Sequence, residues 1–259
     1  MLKLRNCLKK KMPHLLLQNE KFGGVMKEEF KDIKVVAFDI DGTLYPDYRL
    51  YLKIIFYFLR NVRFYVHFNN VRKIMHKTAP LPDFYEYQAR LLAEELKCTV
   101  PAAKEKIERI VYKGLMPYLE RTKIFGHVED TFVKIKESGR KIAILSDFPP
   151  SQKGNMWGLL KYCDLVLGSE EAGALKPSKF PFGMMSMKLG VKPEEILYVG
   201  NSVKYDVCGA KNAGMKSALI ISPFRKFLLS IFRGKENGFG TGADVVFTNY
   251  RQFIDIVLN

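Results

Sequence analysis

Acidic side chains are missing from one long stretch of this chain. Between Tyr48 and Pro82 there is no Asp or Glu, while Arg49, Lys53, Arg60, Arg63, Arg72, Lys73 and Lys77 are all present. A helix built there must carry a strongly positive face. The imbalance holds over all 259 residues, where 42 Lys and Arg face 27 Asp and Glu, a formal charge of +15. Such a charge favours anionic partners, namely phosphorylated metabolites, nucleic acid or an anionic membrane, without choosing among them. Cysteine is also scarce. Cys7, Cys98, Cys163 and Cys208 lack metal-ligand spacing, so no zinc site or disulfide is expected and the thiols read as reduced in a cytoplasmic protein. No long uninterrupted apolar run exists: the most apolar window, Leu50 to Phe68, is broken by Lys53, Arg60 and Arg63, which argues against a membrane-spanning helix. Residues 1–30 carry Lys3, Arg5, Lys9, Lys10 and Lys11 but neither the apolar stretch nor the cleavage site of a signal peptide. A basic N-terminal arm is expected, with attachment to anionic lipid as its alternative reading.

What is present is organised around Val-Val-Ala-Phe-Asp-Ile-Asp-Gly-Thr-Leu-Tyr-Pro, residues 35–46. Ile33 to Phe38 is the apolar, β-branched run of a strand buried on both faces, and it stops at Asp39. Residues i and i+2 of an extended segment point the same way, so Asp39 and Asp41 can reach one pocket. Gly42 frees the chain to turn, and the Thr43 hydroxyl can hold the turn or a neighbouring carboxylate. In an open α/β sheet the crevice beyond the carboxyl ends of the strands binds ligands, and both acids would lie there. A solvated surface turn is the blander alternative.

About a hundred residues separate Asp41 from the next core strand, Lys141 to Leu145, where a strand–helix–strand crossover needs only about thirty. The surplus predicts helices over Tyr51 to Lys77, Leu81 to Lys97 and Pro101 to Tyr118, with a start near Thr99. The aromatics of the first run, Tyr51, Phe56, Tyr57, Phe58, Phe64, Tyr65 and Phe68, read foremost as packing residues; a role in holding a leaving group with Arg60 or Arg63, or a lipid- or partner-facing surface, are the alternatives. Further on, a helix over Val128 to Ser138 ends at Gly139, and the strand after it delivers Ser146 and Asp147, a hydroxyl and free amides suited to phosphoryl oxygens or merely to capping. Residues 150–162 read as a helix, Leu165 to Leu167 as a strand. Lys176-Pro177 opens a basic loop in which Lys179 competes with Lys176. Ile196 to Val199 is a strand running into Gly200-Asn201-Ser202-Val203-Lys204-Tyr205-Asp206. A strand at Ser217 to Ile221, a basic amphipathic segment over 223–235, a loop over Gly234 to Gly242, a strand at Val245 to Phe247 and a helix from Tyr250 complete the chain.

Asp-x-Asp-x-Thr at a strand end resembles the first motif of the haloacid dehalogenase superfamily of phosphatases and phosphotransferases. Ser146, Lys176-Pro177 and the Asn201 to Gly214 segment are similar to its second, third and fourth motifs, in the same order. The resemblance covers residues 33–221. It implies an α/β fold, a doubly wound, mainly parallel Rossmann-like sheet built from 31–46 and 124–259, with an all-helical cap inserted over 47–123. It also implies a phosphomonoester hydrolase with Asp39 as nucleophile forming an aspartyl-phosphate, and Asp41 as general acid and base. Thr43, Ser146 and Lys176 would hold phosphate; Mg2+ would be held by Asp39, Asp41 through its carbonyl, Asn201 and Asp206. An acid at 41 points to phosphoester hydrolysis over carbon–halogen cleavage. One departure matters: Asn201 stands where the family usually has Asp, and an amide offers a dipole where a carboxylate offers charge, so metal should bind more weakly. The Tyr-Pro after the loop is similar to the nucleotidase-like branch, implying a nucleoside monophosphate, with a sugar phosphate as the other expectation. The rival reading is a catalytically weak, binding-only protein of the same fold whose basic cap and 223–235 segment dock on an anionic membrane or nucleic acid; for the hydrolase, nucleic acid is not the expected partner, and the oligomeric state is left open.

Overall fold

The computed structural model describes residues 30–233 and 240–258. The basic residues Lys3 to Lys11, Cys7 and the 234–239 part of the expected loop lie outside them. Phe30, placed in the arm by sequence, is completely buried in the core instead.

Six parallel strands form one sheet in the order β3-β2-β1-β4-β5-β6. They are β1 Val35–Phe38, β2 Lys141–Ser146, β3 Leu165–Gly168, β4 Ile196–Gly200, β5 Lys216–Ile220 and β6 Val245–Phe247. Alternation along β1 decides what each face packs against. Val36 and Phe38 point to one side, where Phe132, Tyr250 and Phe253 close the core; Val35 and Ala37 point to the other, against Phe182, Met185 and Tyr198. The chain steps outward from β1 through β2 to β3, then returns to pair β4 with β1 on the opposite side. The order therefore reverses at β1, and the crevice that such a reversal opens lies directly beyond Phe38.

Helices α1 Asp47–Arg60, α2 Val62–Met75 and α3 Phe84–Leu96 follow β1. They are joined by α4 Val100–Ile107 and α5 Lys113–Glu120, linked through a π-helical turn at Glu108–Tyr112. The start expected near Thr99 is a capped one, its hydroxyl accepting from the Ala102 amide at 3.4 Å. The run expected from Tyr51 to Lys77 is two helices, broken at Asn61. These helices bury their own apolar cluster around Phe64, Phe68, Val71, Leu92 and Ile107, so they form a packed unit beside the sheet. The sheet's covering helices are α6 Val128–Glu137, α7 Lys179–Leu189, α8 Cys208–Asn212, α9 Pro223–Arg233 and α10 Tyr250–Val257. The helix expected over 150–162 is instead two short 3₁₀ turns, Pro150–Lys153 and Met156–Tyr162. Positive φ at Gly154, Trp157 and Gly158 forbids a continuous helix there.

A buried polar network ties the helical unit to the sheet. The Arg72 guanidinium of α2 pairs with Glu170, donates to the Gln88 side chain at 3.0 Å and lies 4.5 Å over the Phe148 ring. The Tyr112 hydroxyl completes it, donating to Glu170 at 2.7 Å. Glu170 is 1 % exposed, so removing the guanidinium strands a charge in the interior. Arg72→Met should therefore cost about 3–5 kcal/mol in urea unfolding, and Arg72→Met with Glu170→Gln distinctly less. A single-variant loss below about 1 kcal/mol would show that the pair does not join the two units.

Candidate active site

The rim beyond β1 gathers side chains from four separate stretches. Asp39 follows β1 directly and is 4 % exposed. Its Oδ1 accepts from Lys176 Nζ at 2.7 Å, and its Oδ2 accepts from the Thr43 hydroxyl at 2.9 Å. Lys176, in the loop between β3 and α7, also donates to Asp206 Oδ1 at 2.7 Å and to the Tyr198 hydroxyl at 3.2 Å. Asp206 sits just after β4, its Oδ2 held by the backbone N–H groups of Asn201 at 3.1 Å and Ser202 at 2.9 Å. Lys176 is thus the lysine that reaches the acids; its competitor Lys179 is exposed at the start of α7. Ser146, at the end of β2, is fully buried and its hydroxyl has no partner, an orphaned donor at the same rim.

Gly42 is required twice at the turn. Its φ is +78°, and a Cβ there would lie 1.9 Å from the Asn201 amide nitrogen and 2.7 Å from Asp47 Oδ2. The turn sends Asp41 to different partners from Asp39. Its carboxylate accepts from the Tyr45 hydroxyl and from Lys153 Nζ, the latter at 3.0 Å. Lys153 is buried in the 3₁₀ turn after β2 and is further held by the Gln152 side chain.

Charge and burial pull these groups apart in acidity. Burial raises the Asp39 carboxyl to about 7, with the charges of Asp206 and Asp41 adding to the effect and Lys176 opposing it. Burial would also raise Asp41, but the Lys153 charge and the Tyr45 hydrogen bond outweigh it and hold that carboxyl below its usual range. For Lys176 burial works downward, yet Asp206 and Asp39 raise it well above the ordinary lysine value.

Five participants have roles that the sequence did not assign to them. Asp47, the first residue of α1, has a carboxyl raised to about 6 by burial and by Asp41; its Oδ2 accepts from the Asn201 amide at 3.4 Å. The carboxylate missing at position 201 is thus matched by one arriving from α1. Lys153 and Tyr45 grip Asp41. His76, at the end of α2, donates from Nδ1 to the Lys176 carbonyl at 2.7 Å and stacks on Tyr205 with centroids 4.5 Å apart. Asp147 accepts from the Lys176 amide at 3.1 Å. Only Asp47 left a local signal, an acid in the first turn of a helix. Arg60 and Arg63 are not part of the site. Both are exposed where α1 meets α2, and the length of α1 puts Arg60 about 20 Å from Asp47.

Mg2+ prefers hard oxygen donors, and the carboxylates of Asp39, Asp206 and Asp47 with the Asn201 amide are of that kind. The chemistry of the donor set fits such an ion. Among the described residues no group of three or more His, Cys, Asp or Glu stands together as a formed metal cluster; the Lys176 ammonium lies between Asp39 and Asp206. A cleft of about 700 Å³, lined by Tyr85, Gln88, Tyr112, Gln152 and Glu171 among others, opens between the helical unit and the loop after β2. It excludes the acids themselves but contains Gln152, whose side chain holds Lys153.

The family model for haloacid dehalogenase-like hydrolases matches residues 33–214, well over half of the sequence. The chain belongs to the haloacid dehalogenase-like hydrolases. It is similar to the pyrophosphatase PpaX of Halalkalibacterium halodurans, 29 % identical over 194 residues that cover 73 % of this chain and 84 % of that one. A phosphoglycolate phosphatase of Escherichia coli K12 is 26 % identical, covering 73 % and 81 %. A ribulose-1,5-bisphosphate 5-phosphatase of Halopiger xanaduensis is 31 % identical over 39 % of this chain, a match spanning 44 % of that relative's length. Among solved structures, a phosphatase of the family from Thermococcus onnurineus superposes with a TM-score of 0.55 at 21 % identity, covering 87 % and 98 %. The L-2-haloacid dehalogenase of Xanthobacter autotrophicus gives 0.58 at 20 %, with the same coverage. At those identities the likeness is one of fold, and it bears out the parallel α/β architecture with added helices.

The raised pKa of Asp39 has a consequence for stability. The folded chain binds that proton more tightly than the unfolded chain, whose carboxyl titrates near 4. The stability this gives is complete below that value and lost as pH rises through about 7. Asn at this position does not titrate. In thermal melts with a chelator present, the melting temperature of Asp39→Asn relative to the unaltered protein should therefore be more favourable at pH 8 than at pH 5; an identical difference at both would contradict the buried, proton-retaining carboxyl.

Proposed function

We propose that the chain hydrolyses a small phosphomonoester through an aspartyl-phosphate on Asp39. The observation that carries this reading is the meeting of Asp39 and Asp206 on one lysine ammonium, beside the unpartnered hydroxyl of Ser146. Lys176 and Ser146 are suited to the equatorial oxygens of a phosphoryl group, one by charge and the other by hydrogen bonding. Asp39 attacks phosphorus, forming one P–O bond as the bond to the leaving oxygen breaks. Asp41 gives that oxygen its proton, then takes one from the water that displaces Asp39 and releases phosphate. Its resting contacts with Lys153 and Tyr45 favour the ionised form and so the second, basic role; the acidic role requires a proton in place of the Lys153 contact. Thr43, donating to Asp39 Oδ2, keeps Oδ1 turned towards Lys176 and serves as a positioning residue.

Mg2+, held by Asp39, the Asp41 carbonyl, Asp206 and the Asn201 amide, with Asp47 adjacent, would offset the charge of phosphate and carboxylate as they approach. The pyrophosphatase, phosphoglycolate phosphatase and sugar-bisphosphate phosphatase among the relatives support a small phosphorylated substrate. A nucleoside monophosphate and a sugar phosphate remain the substrate classes proposed from the sequence, with the cleft beside Gln152 as the space for the leaving group. The unit over 47–123 is proposed as the cap over the site and the remainder as its core.

A screen of nucleotide, sugar and p-nitrophenyl phosphates with Mg2+ should release phosphate, and Asp39→Asn should reduce the rate by at least about a thousandfold, as losing a nucleophile does. Asn201→Asp should lower the Mg2+ concentration needed for half-maximal rate, since it adds a carboxylate beside Asp47. No turnover at any Mg2+ concentration would contradict the activity, and an unchanged Mg2+ requirement would contradict the place given to Asn201.

A further inference from the structure

The helix α1 turns an apolar face to solvent. Tyr48, Tyr51, Leu52, Ile55, Phe56 and Leu59 are all exposed, Leu52 by 73 % and Phe56 by 82 %. At 100° per residue these six fill one sector about 140° wide. The opposite side faces inward, where Leu50 is buried and Ile54, Tyr57 and Phe58 pack on the apolar clusters. Along one border of the exposed sector, about 40° wide, stand Arg49, Lys53 and Arg60. Sequence reading assigned Tyr51 and Phe56 foremost to packing; the structure leaves both outside it. A contiguous face of this kind is costly in water and marks a contact surface.

We propose that α1 docks in the plane of an anionic lipid surface, its apolar face in the headgroup–acyl boundary and its cations among the headgroups. Charge selects this occupant. Arg49, Lys53 and Arg60 border the face, Arg49 and Lys53 donating to the backbone carbonyls of Lys123, Ile124 and Arg121, which leave their charge unneutralised; no acid lies between Tyr48 and Pro82, so a second copy packed through the same face would meet it with the same cations. A bilayer supplies both the apolar phase and the anions, and Lys and Arg stems can lie along the interface with their charges in water. No described helix is long and apolar enough to cross a membrane; α1, about 20 Å long, lies on the surface. Asp47 begins the same helix, so docking brings the mouth of the Asp39 site to the lipid interface. The exposed Phe224 and Phe227 of α9, the basic segment singled out in the sequence, form a separate apolar pair that the test leaves unaltered.

The test is co-sedimentation of the full chain with phosphatidylcholine vesicles, with and without phosphatidylglycerol, beside a Phe56→Asp/Leu59→Asp variant. Both altered residues are exposed and lie outside the site, so the thermal melt and the rate on a soluble phosphoester should be unchanged. The protein should bind the anionic vesicles at least tenfold better than the neutral ones, and the variant should lose at least tenfold of that binding. Phe56→Trp should shift its emission to the blue when anionic vesicles are added. Undiminished binding by the double variant would overturn the proposal and assign binding to another basic segment. Absence of binding to either vesicle would overturn it too, as would a dimer that the double variant converts to monomer without any vesicle binding.

Discussion

One buried ammonium organises the rim of this sheet. Lys176 stands between the carboxylates of Asp39 and Asp206, each 2.7 Å away, and all three are nearly inaccessible to water. None of these charges could be buried alone at tolerable cost, whereas together they neutralise one another in part and leave one negative charge in excess. That excess suits a site for cations and for groups that arrive with them. Burial, with that excess adding to it, raises the Asp39 carboxyl to about 7. Holding the lysine in place takes several outside contacts: Asp147 accepts its amide, His76 donates to its carbonyl, and Tyr198, itself anchored on the Leu145 carbonyl, accepts from its Nζ.

The helical unit is therefore no passive insert. His76 reaches from the end of α2 to the Lys176 loop, Asp47 from the start of α1 to Asn201, and Arg72 from the last turn of α2 to Glu170 beyond β3. Each contact links the geometry of the acids to the seating of these helices. The exposed apolar face of α1 belongs to the same element that supplies Asp47, so what that face rests on bears on how the site is approached.

Much of this was legible along the chain because the superfamily's chemistry sits at strand ends. The strands running into Asp39, Ser146 and Asn201 were readable from apolar runs that stop at polar residues, while Lys176 before Pro177 and Asp206 were picked out by the resemblance to the superfamily's motifs. Helix boundaries at Thr99 and Gly139 followed from capping chemistry and the left-handed freedom of glycine. Long-range partners were not readable. Lys153 lies 112 residues from Asp41 and His76 lies 100 from Lys176, and nothing local marks either as a neighbour. Residues 150–162 were misread although Gly154 and Gly158 marked the break: both take positive φ, as does Trp157, and the segment folds as two short turns. Arg60 and Arg63 misled because charge was visible and direction was not, and the aromatics of α1 misled because an apolar stripe reads alike whether it faces a core or solvent.

The account stands on phosphorus becoming bonded to the carboxylate at the end of β1. The direct measurement is mass spectrometry of enzyme quenched in acid during turnover of a phosphomonoester. The account predicts a phosphoryl adduct on the peptide containing Asp39, appearing before phosphate release reaches its steady rate and absent from Asp39→Asn. Turnover that proceeds with no adduct at that residue, or with the adduct on another side chain, would contradict it.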